Sequence, residues 1–212
     1  MSVRRQPLVL VTGFEPFPGA PVNPTQALIG RLRAAAWSPT GFALEAQVLP
    51  TRFDVFETSL RPLLRELEPA AVVSFGLSAR ANGFTLERLA RNELAMERPD
   101  AAGTTLQAPL IEPLGASTRR STLPLAAIAH RLSCAGLPWS WSDDAGGYIC
   151  NLVFYRTLAA MAATPIPSGF VHVPYTTMQH KELGLSVDIF RLDEEDLVRG
   201  AKMVIEAVVE IL

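Results

Sequence analysis

The chain has 212 residues, 49% of them apolar, and a formal net charge of −2. That length and composition predict one packed domain over residues 1–212 and exclude an intrinsically disordered chain. Basic residues run together only as the pairs Arg4–Arg5 and Arg119–Arg120, interpreted as solvated surface charge, so no nucleic-acid partner is predicted. No apolar run approaches the ~18 residues that a membrane span needs, so no membrane association is predicted either.

The N-terminal part of the chain reads as strand, loop, helix and strand. Residues 8–12 (LVLVT) form the continuous apolar run that is typical of a strand buried on both faces. After a loop rich in proline and glycine, Thr25 is the predicted N-cap of a helix. Residues 42–49 alternate loosely between apolar and polar, which predicts a second strand.

The middle of the chain continues the alternation. Residues 53–67 have helical spacing, with Pro62 as a predicted kink. Residues 71–75 (AVVSF) predict another buried strand, which we expect to end at Gly76. Residues 84–94 resemble a strand but are rich in charge, which predicts a position at the margin of the sheet.

Helices dominate the C-terminal part. An amphipathic helix is predicted over residues 124–134, with Gly136 ending it, and a long apolar helix over 148–163. Residues 169–173 predict a strand, and residues 193–212 predict a closing helix with acidic residues at its N-terminal end. The whole pattern predicts a three-layer α/β/α fold with a central twisted, mostly parallel (mixed) sheet and functional groups at the carboxyl edge of its strands.

Cys150 is the first candidate for chemistry. It follows two glycines and falls in the first turn of the predicted apolar helix. There the unpaired backbone N–H groups and the helix dipole stabilise a thiolate, and they also hold an oxyanion once that thiolate attacks a carbonyl. Cys134 lies at the end of its helix, where the dipole opposes negative charge. Position alone leaves both a nucleophile and an inert core thiol open for Cys150. Because two cysteines make no disulfide framework, the sequence predicts a reduced, cytoplasmic setting.

A cysteine nucleophile needs a base, which is usually a histidine oriented by a third group. His130 falls inside a predicted helix, and His180 falls in a polar stretch. His172 lies near the end of a strand that Pro174 stops, which is where a base would face a cleft. A core histidine satisfied by the backbone is an equally open interpretation of His172.

Glu87 is a candidate for the third group. It lies on a strand-like segment between apolar neighbours, where a carboxylate needs a cationic or N–H partner. The adjacent Arg88 does not fit that role, because neighbouring residues on a strand point to opposite faces. The sequence has no HExxH, no CxxC and no cluster of Cys, His and acidic residues, so no metal site is predicted.

Four stretches together resemble one family, the type I pyroglutamyl peptidases, which are cytosolic cysteine peptidases. The block SDDAGGYICN (142–151) matches the family's pattern around its cysteine. TLERLA (85–90), with Asn92 beyond it, is similar to the block around the catalytic glutamate, and GFVHVPY (169–175) is similar to the histidine segment. The opening VTGFEPFPGAPVNPT (11–25) resembles the family's first motif. These blocks come in the family's order and span nearly the whole chain.

The resemblance implies a role for each candidate. Cys150 would be the nucleophile, His172 the general base and then acid, and Glu87 the group that holds His172. The implied reaction removes an N-terminal pyroglutamyl residue from a peptide through a thiol acyl-enzyme, without a cofactor. The implied structure is a mixed α/β/α domain, often assembled as a homo-oligomer.

The resemblance also implies a substrate pocket. Phe14 and Phe17 match the aromatic residues with which the family holds the lactam ring, and Ile149 would line the same pocket. A small, flat, neutral ring gains most from burial between aromatic faces. Anchoring of the loop into the core is the alternative role for the two phenylalanines. Asn23 is interpreted as a turn residue.

The chain departs from the family pattern around that pocket. Leu77 replaces a glutamine, so any hydrogen bond from that side chain to the substrate is lost and the substrate could change. Glu97 falls where the family has an arginine that Arg98 could replace, and Pro18 stands where a glycine is usual. The leading prediction is a cysteine exopeptidase of the pyroglutamyl type. Two alternatives stay open: a divergent relative acting on another N-acyl or cyclic amide, and a catalytically weak binding or scaffold protein.

Overall fold

In the computed structural model, which describes residues 6–212, strands and helices alternate along the chain. The strands are β1 (Leu8–Phe14), β2 (Ala43–Leu49), β3 (Ala71–Leu77), β4 (Phe84–Glu87), β5 (Leu89–Arg91), β6 (Thr118–Arg120), β7 (Trp139–Ser142), β8 (Ser168–Val173), β9 (Tyr175–Thr176) and β10 (Arg191–Leu192). The α-helices are α1 (Pro24–Ala34), α2 (Arg61–Leu67), α3 (Leu125–Cys134), α4 (Ile149–Met161), α5 (Thr177–Glu182) and α6 (Glu194–Val209).

Six strands form the central sheet, in the order β2-β1-β3-β8-β4-β7. Neighbouring strands run parallel, except that β4 and β8 are antiparallel. The sheet is therefore mixed and mostly parallel, which confirms the predicted class. Two short pairs lie outside it, β5 with β6 and β9 with β10.

Each face of the sheet is covered by helices and has its own apolar core. Val9 and Val11 of β1 point into a core closed by α1, α3 and α6. Leu10 and Phe14 of the same strand point into a second core, closed by α2 and α4. Because β1 is buried on both faces, its sequence is continuously apolar rather than alternating. The three predicted layers are confirmed.

Strand β3 continues two residues beyond its predicted end. Gly76 does not stop it but pairs with His172 of β8, and the strand runs to Leu77. A side chain at this position would collide with its neighbours, because a Cβ there would lie 2.6 Å from the Phe170 ring and 3.0 Å from the Cys150 sulfur. The glycine is thus explained by a close approach rather than by a turn.

The charged segment predicted for the sheet margin divides into two strands. β4 lies inside the sheet, between β8 and the edge strand β7, and β5 leaves the sheet to pair with β6. Arg88, between β4 and β5, makes an ion pair with Asp143 at the surface. The charged Arg88 therefore lies at the break between the two strands. The prediction that this segment lies at the margin of the sheet is wrong for β4.

Two helix starts differ from the prediction. Asn23, not Thr25, caps α1, since its Oδ1 accepts the Thr25 backbone N–H at 3.1 Å. The Thr25 hydroxyl instead accepts the Phe14 N–H at 2.9 Å and ties the helix to β1. Pro62 lies in the first turn of α2, after a π-helical turn over Phe56–Leu60. The helical residues run without a break from 55 to 67, so Pro62 withholds an N–H from the preceding turn, and the disruption predicted at this residue takes the form of the π-helical turn.

The remaining predictions about the surface have different outcomes. The Arg4–Arg5 pair lies outside the described residues. Arg119 is not simply solvated, because it stacks on the Tyr155 ring at 4.9 Å and makes an ion pair with Glu112 at 3.3 Å. Among the helices of residues 6–212, none combines the length and the apolar character needed to cross a bilayer.

Candidate active site

A polar turn leads the chain from β7 into α4. The Ser142 hydroxyl accepts the Asp144 N–H at 3.1 Å, and the Asp144 carboxylate accepts the Gly146 N–H at 3.0 Å. Gly146 has φ +77°, a left-handed conformation that disfavours any residue with a Cβ. Ala145 is buried in the second core and anchors the turn. These contacts fix where the helix begins.

Cys150 is the second residue of α4, as its predicted place in the first turn requires. Leu152 donates to the Tyr148 carbonyl at 3.0 Å. The N–H groups of residues 149–151 therefore precede the first intrahelical hydrogen bond. They and the helix dipole create a local positive potential at the half-buried thiol. The site is suited to hold a negative charge on sulfur or on an oxygen bound beside it.

Asn151, buried next to Cys150, holds the start of α4 against the segment that follows β4. Its Oδ1 accepts the Arg91 N–H at 2.9 Å, and its Nδ2 donates to the carbonyls of Arg91 and Glu93 at 2.8 and 2.9 Å. Sequence reasoning assigned this residue no role, although it stands directly after the cysteine in the block that carries the family resemblance.

Glu87 and His172 meet across the antiparallel pair of strands. Thr85 of β4 lies opposite His172 of β8, which makes Glu87 a diagonal neighbour of the histidine on the same face. The His172 Nδ1 lies 2.7 Å from the Glu87 Oε1. Both residues are buried, with 1% of Glu87 and 5% of His172 exposed. This imidazole is the partner that the sequence argument required for a buried carboxylate.

The charge state of His172 follows from its two partners. Burial lowers its pKa, but the hydrogen bonds and the negative charges of Cys150 and Glu87 outweigh this effect and raise the pKa to about 10. The imidazole is therefore protonated at neutral pH. Since Nδ1 faces Glu87, Nε2 is the ring nitrogen available to the thiol. The Phe170 ring, 4.8 Å from the imidazole between centroids, supports it from the apolar side.

The thiol and the imidazole open into a cleft of about 620 Å³. Phe14, Phe17, Leu77 and Ile149 are among the residues that line it. Phe17 packs on Tyr148, with ring centroids 5.8 Å apart. Both roles considered for Phe14 have support, because it borders the cleft and also packs on Phe170 in the second core, with centroids 6.1 Å apart. One wall of the cleft is thus aromatic.

The other cysteine and histidines lie elsewhere. Cys134 is exposed on α3, where its sulfur lies 3.6 Å from the His130 Nε2. His180 is satisfied by the backbone, with its Nε2 2.8 Å from the Ser186 carbonyl oxygen. His172 is therefore the histidine that combines a thiol and a carboxylate partner.

The structure also distinguishes Glu97 from Arg98 at the cleft. Both residues are exposed, but Arg98 lines the cleft and Glu97 does not. Asn23 borders the cleft while capping α1, so the turn interpretation is right about the loop and incomplete about the helix. At the edge of the sheet, Phe14, Leu77 and His172 come from the carboxyl ends of β1, β3 and β8, as predicted.

Comparison with known proteins identifies relatives along nearly the whole chain. A family model described as pyroglutamyl peptidase matches residues 8–211. The pyrrolidone-carboxylate peptidase of Gloeobacter violaceus is 37% identical over 172 residues, covering 81% of this chain and 83% of the relative. That of Deinococcus radiodurans is 32% identical over 210 residues, covering 95% and 94%.

Solved structures agree with the sequence relatives. A mutant pyrrolidone carboxyl peptidase from the hyperthermophile Pyrococcus furiosus superposes with a TM-score of 0.88 at 32% identity, covering 97% of this chain and 99% of that one. Pyroglutamyl peptidase I of Bacillus amyloliquefaciens gives a TM-score of 0.86 at 27% identity, covering 96% and 97%.

Proposed function

The chain belongs to the pyroglutamyl peptidase family, and we propose that it is a cysteine exopeptidase that removes N-terminal pyroglutamyl residues from peptides. One observation carries the proposal: His172, hydrogen-bonded to Glu87, and the Cys150 thiol line the same aromatic-walled cleft. That arrangement supports acyl transfer to sulfur, because it supplies a nucleophile, a proton carrier and a group that orients the carrier.

In the proposed acylation, the Cys150 thiolate attacks the carbonyl carbon of the pyroglutamyl residue. The N–H groups at the start of α4 support the resulting oxyanion, since they precede the first intrahelical hydrogen bond. The C–N bond then breaks, and the His172 Nε2–H gives its proton to the departing amine. The products of this half-reaction are a thioester on Cys150 and the shortened peptide.

In deacylation His172 accepts a proton instead of donating one. Neutral His172 takes a proton from water as the water oxygen attacks the thioester carbonyl. The C–S bond breaks, pyroglutamic acid leaves, and the thiolate and imidazolium are restored. Glu87 acts as a positioning residue throughout, because its carboxylate holds Nδ1 and keeps Nε2 aimed at the reacting atoms.

The acyl group is proposed to lie against Phe14, Phe17 and Ile149. These side chains offer apolar and aromatic surface to a flat ring, and they border the cleft that contains the Cys150 thiol. Leu77 adds apolar surface where the family pattern has a polar side chain. A ring with little charge fits this wall better than an open-chain glutamyl group with its free ammonium and carboxylate.

Release of a fluorophore from a pyroglutamyl amide, with alanyl and acetyl-glutamyl amides beside it, tests the function. We expect release from the pyroglutamyl amide alone. Cys150→Ser should abolish it, because a hydroxyl is a far weaker nucleophile than a thiolate at neutral pH. Cys134→Ser is the matched control, since that thiol is exposed on α3 outside the cleft, and should keep full activity. Equal losses in the two variants would contradict the assignment of the nucleophile.

The proposal also covers the cellular compartment, the cofactor requirement and the assembly of the enzyme. We infer from the family resemblance a cytoplasmic, cofactor-independent enzyme that assembles as a homo-oligomer. Both cysteines are free, which agrees with a reducing compartment. Light scattering on the purified chain should give a multiple of its own mass, and a monomeric mass would contradict the assembly.

A further inference from the structure

Arg98 is stacked on the aromatic wall of the cleft. Its guanidinium carbon lies 4.2 Å from the centroid of the Tyr148 ring and 5.1 Å from that of the Phe17 ring. A guanidinium stacked on aromatic rings keeps its N–H groups in its own plane, where they can donate to a carbonyl or a carboxylate. Arg98 is exposed, and within residues 6–212 no protein acceptor takes a hydrogen bond from its guanidinium and no carboxylate makes an ion pair with it.

Three other polar side chains of the lining, those of Tyr148, Asn23 and Thr51, already donate to backbone carbonyls. The Tyr148 hydroxyl donates to the Pro99 carbonyl at 2.9 Å. The Asn23 amide and the Thr51 hydroxyl both donate to the Glu15 carbonyl, at 3.1 and 2.9 Å. Leu77, also in the lining, has no side-chain donor. The guanidinium therefore supplies free side-chain N–H groups at the wall where an acyl ring would lie.

The segment that carries Arg98 is fixed on both of its sides. Tyr148 binds the Pro99 carbonyl, and the Asp100 carboxylate accepts backbone N–H groups of Phe53, Ala102 and Thr104 at 3.0, 2.9 and 2.9 Å. Burial alone would raise the pKa of Asp100, but these hydrogen bonds lower it, so the carboxylate stays ionised and keeps its contacts at neutral pH. The guanidinium is thus presented from an anchored backbone.

From these contacts we propose that Arg98 is a specificity-determining residue that donates to the ring carbonyl oxygen of the pyroglutamyl group. The proposal rests on the proposed function and adds to it how the polar edge of the ring is recognised. A lactam ring is flat and apolar over most of its surface but has one strong acceptor, its carbonyl. The wall of Phe17, Tyr148 and Arg98 combines aromatic faces with free donors and matches both properties.

A role in stabilising the oxyanion is the competing explanation for an arginine near the thiol. The two roles differ in what they require of the substrate. An oxyanion donor would assist every acyl group equally, whereas a ring-carbonyl donor assists only those acyl groups that carry the carbonyl. A comparison of ligands with and without that carbonyl therefore separates them.

The experiment measures hydrolysis of a pyroglutamyl amide and its competitive inhibition by two ring amides. The first is 3-oxocyclopentanecarboxamide, which keeps the ring carbonyl, and the second is cyclopentanecarboxamide, which lacks it. Each is measured with the wild-type protein and with Arg98→Met, which keeps a long stem but removes every donor. Arg65→Met is the control, because Arg65 is exposed on α2 away from the cleft.

For Arg98→Met we expect kcat/KM on the pyroglutamyl amide to fall by about 10- to 100-fold, the size of one lost charge-assisted hydrogen bond. The inhibition constant of the oxo compound should rise by a similar factor, and that of the plain ring should stay unchanged. The alkylation rate of Cys150, measured alongside, should also be unchanged, which shows that the site is folded.

Two results would overturn the assignment of Arg98. One is unchanged inhibition by the oxo compound in Arg98→Met. The other is an equal weakening of both inhibitors. Absence of hydrolysis by the wild-type protein is a different result, since it would contradict the proposed function itself.

Discussion

Two opposing effects act on the pKa of His172. Burial favours the neutral imidazole, and the contacts with Cys150 and Glu87 favour the imidazolium and prevail. Both contacts matter because the histidine is proposed to be a proton donor first and an acceptor second. A proton donor must be charged at the working pH, and a raised pKa ensures this.

The pH dependence of kcat/KM in the Glu87→Gln variant tests this balance between burial and the charged contacts of His172. The wild-type imidazolium should persist until the pH approaches about 10. Glutamine removes the negative charge that helps to raise the pKa of His172, so the alkaline limb of the kcat/KM profile should move to lower pH. We expect kcat at the optimum to fall by roughly 100-fold or more, because the imidazole is also less firmly oriented. An alkaline limb that does not move would contradict the role of Glu87.

At the scale of single elements, the close packing of β3 against α4 has a direct cost when it is disturbed. Gly76→Ala would place a methyl group 2.6 Å from the Phe170 ring and 3.0 Å from the Cys150 sulfur. We expect loss of most activity and about 1–3 kcal/mol of stability, as for an overpacked core. Activity and the free energy of unfolding in urea measure the two effects.

Gly30→Ala is the matched control for that substitution. Gly30 lies within α1, and a Cβ there would have nothing within 4 Å. The same chemical change should therefore leave activity intact and stabilise the protein by about 0.5–1 kcal/mol through helix propensity. Destabilisation at both positions would mean that the crowding at Gly76 is not the cause.

The attachment of the start of α4 to the segment after β4 depends on the side chain of Asn151. Asn151→Ala removes three hydrogen bonds and leaves the partly buried Arg91 N–H without its acceptor. We expect a loss of about 1–3 kcal/mol in stability. The alkylation rate of Cys150 should also change, because the end of the helix that carries the thiol loses its attachment. A normal alkylation rate in a destabilised variant would limit Asn151 to a purely structural role.

At the scale of the whole molecule, the sequence predicts the elements that are long and buried. The runs that became β1, β3 and β8 are mostly apolar and almost wholly buried because helices cover both faces of the sheet. Their order and the helices between them were sufficient to predict the layers. The cysteine, histidine and glutamate could be proposed because local position marked the first, and the family resemblance raised the other two above several alternatives.

What the sequence did not predict is set by distant contacts. β7 has the sequence WSWS and is four residues long, too short and too polar to stand out from a loop. The antiparallel direction of β4 depends on its neighbours β8 and β7, not on its own residues. The stacking of Arg98 joins three segments that are far apart in the chain, so no local pattern contains it.

The position of β8 also constrains the order in which the protein matures on the ribosome. β8 is inserted between β3 and β4, although it is synthesised after both. A growing chain that has not yet reached residue 168 therefore has two sheet fragments without the strand that joins them. Glu87 and Cys150 have both been made by then, but the histidine that connects them has not. Such a nascent chain carries the thiol without its proposed proton donor, so we expect peptidase activity to begin only when the last strand of the central sheet is in place.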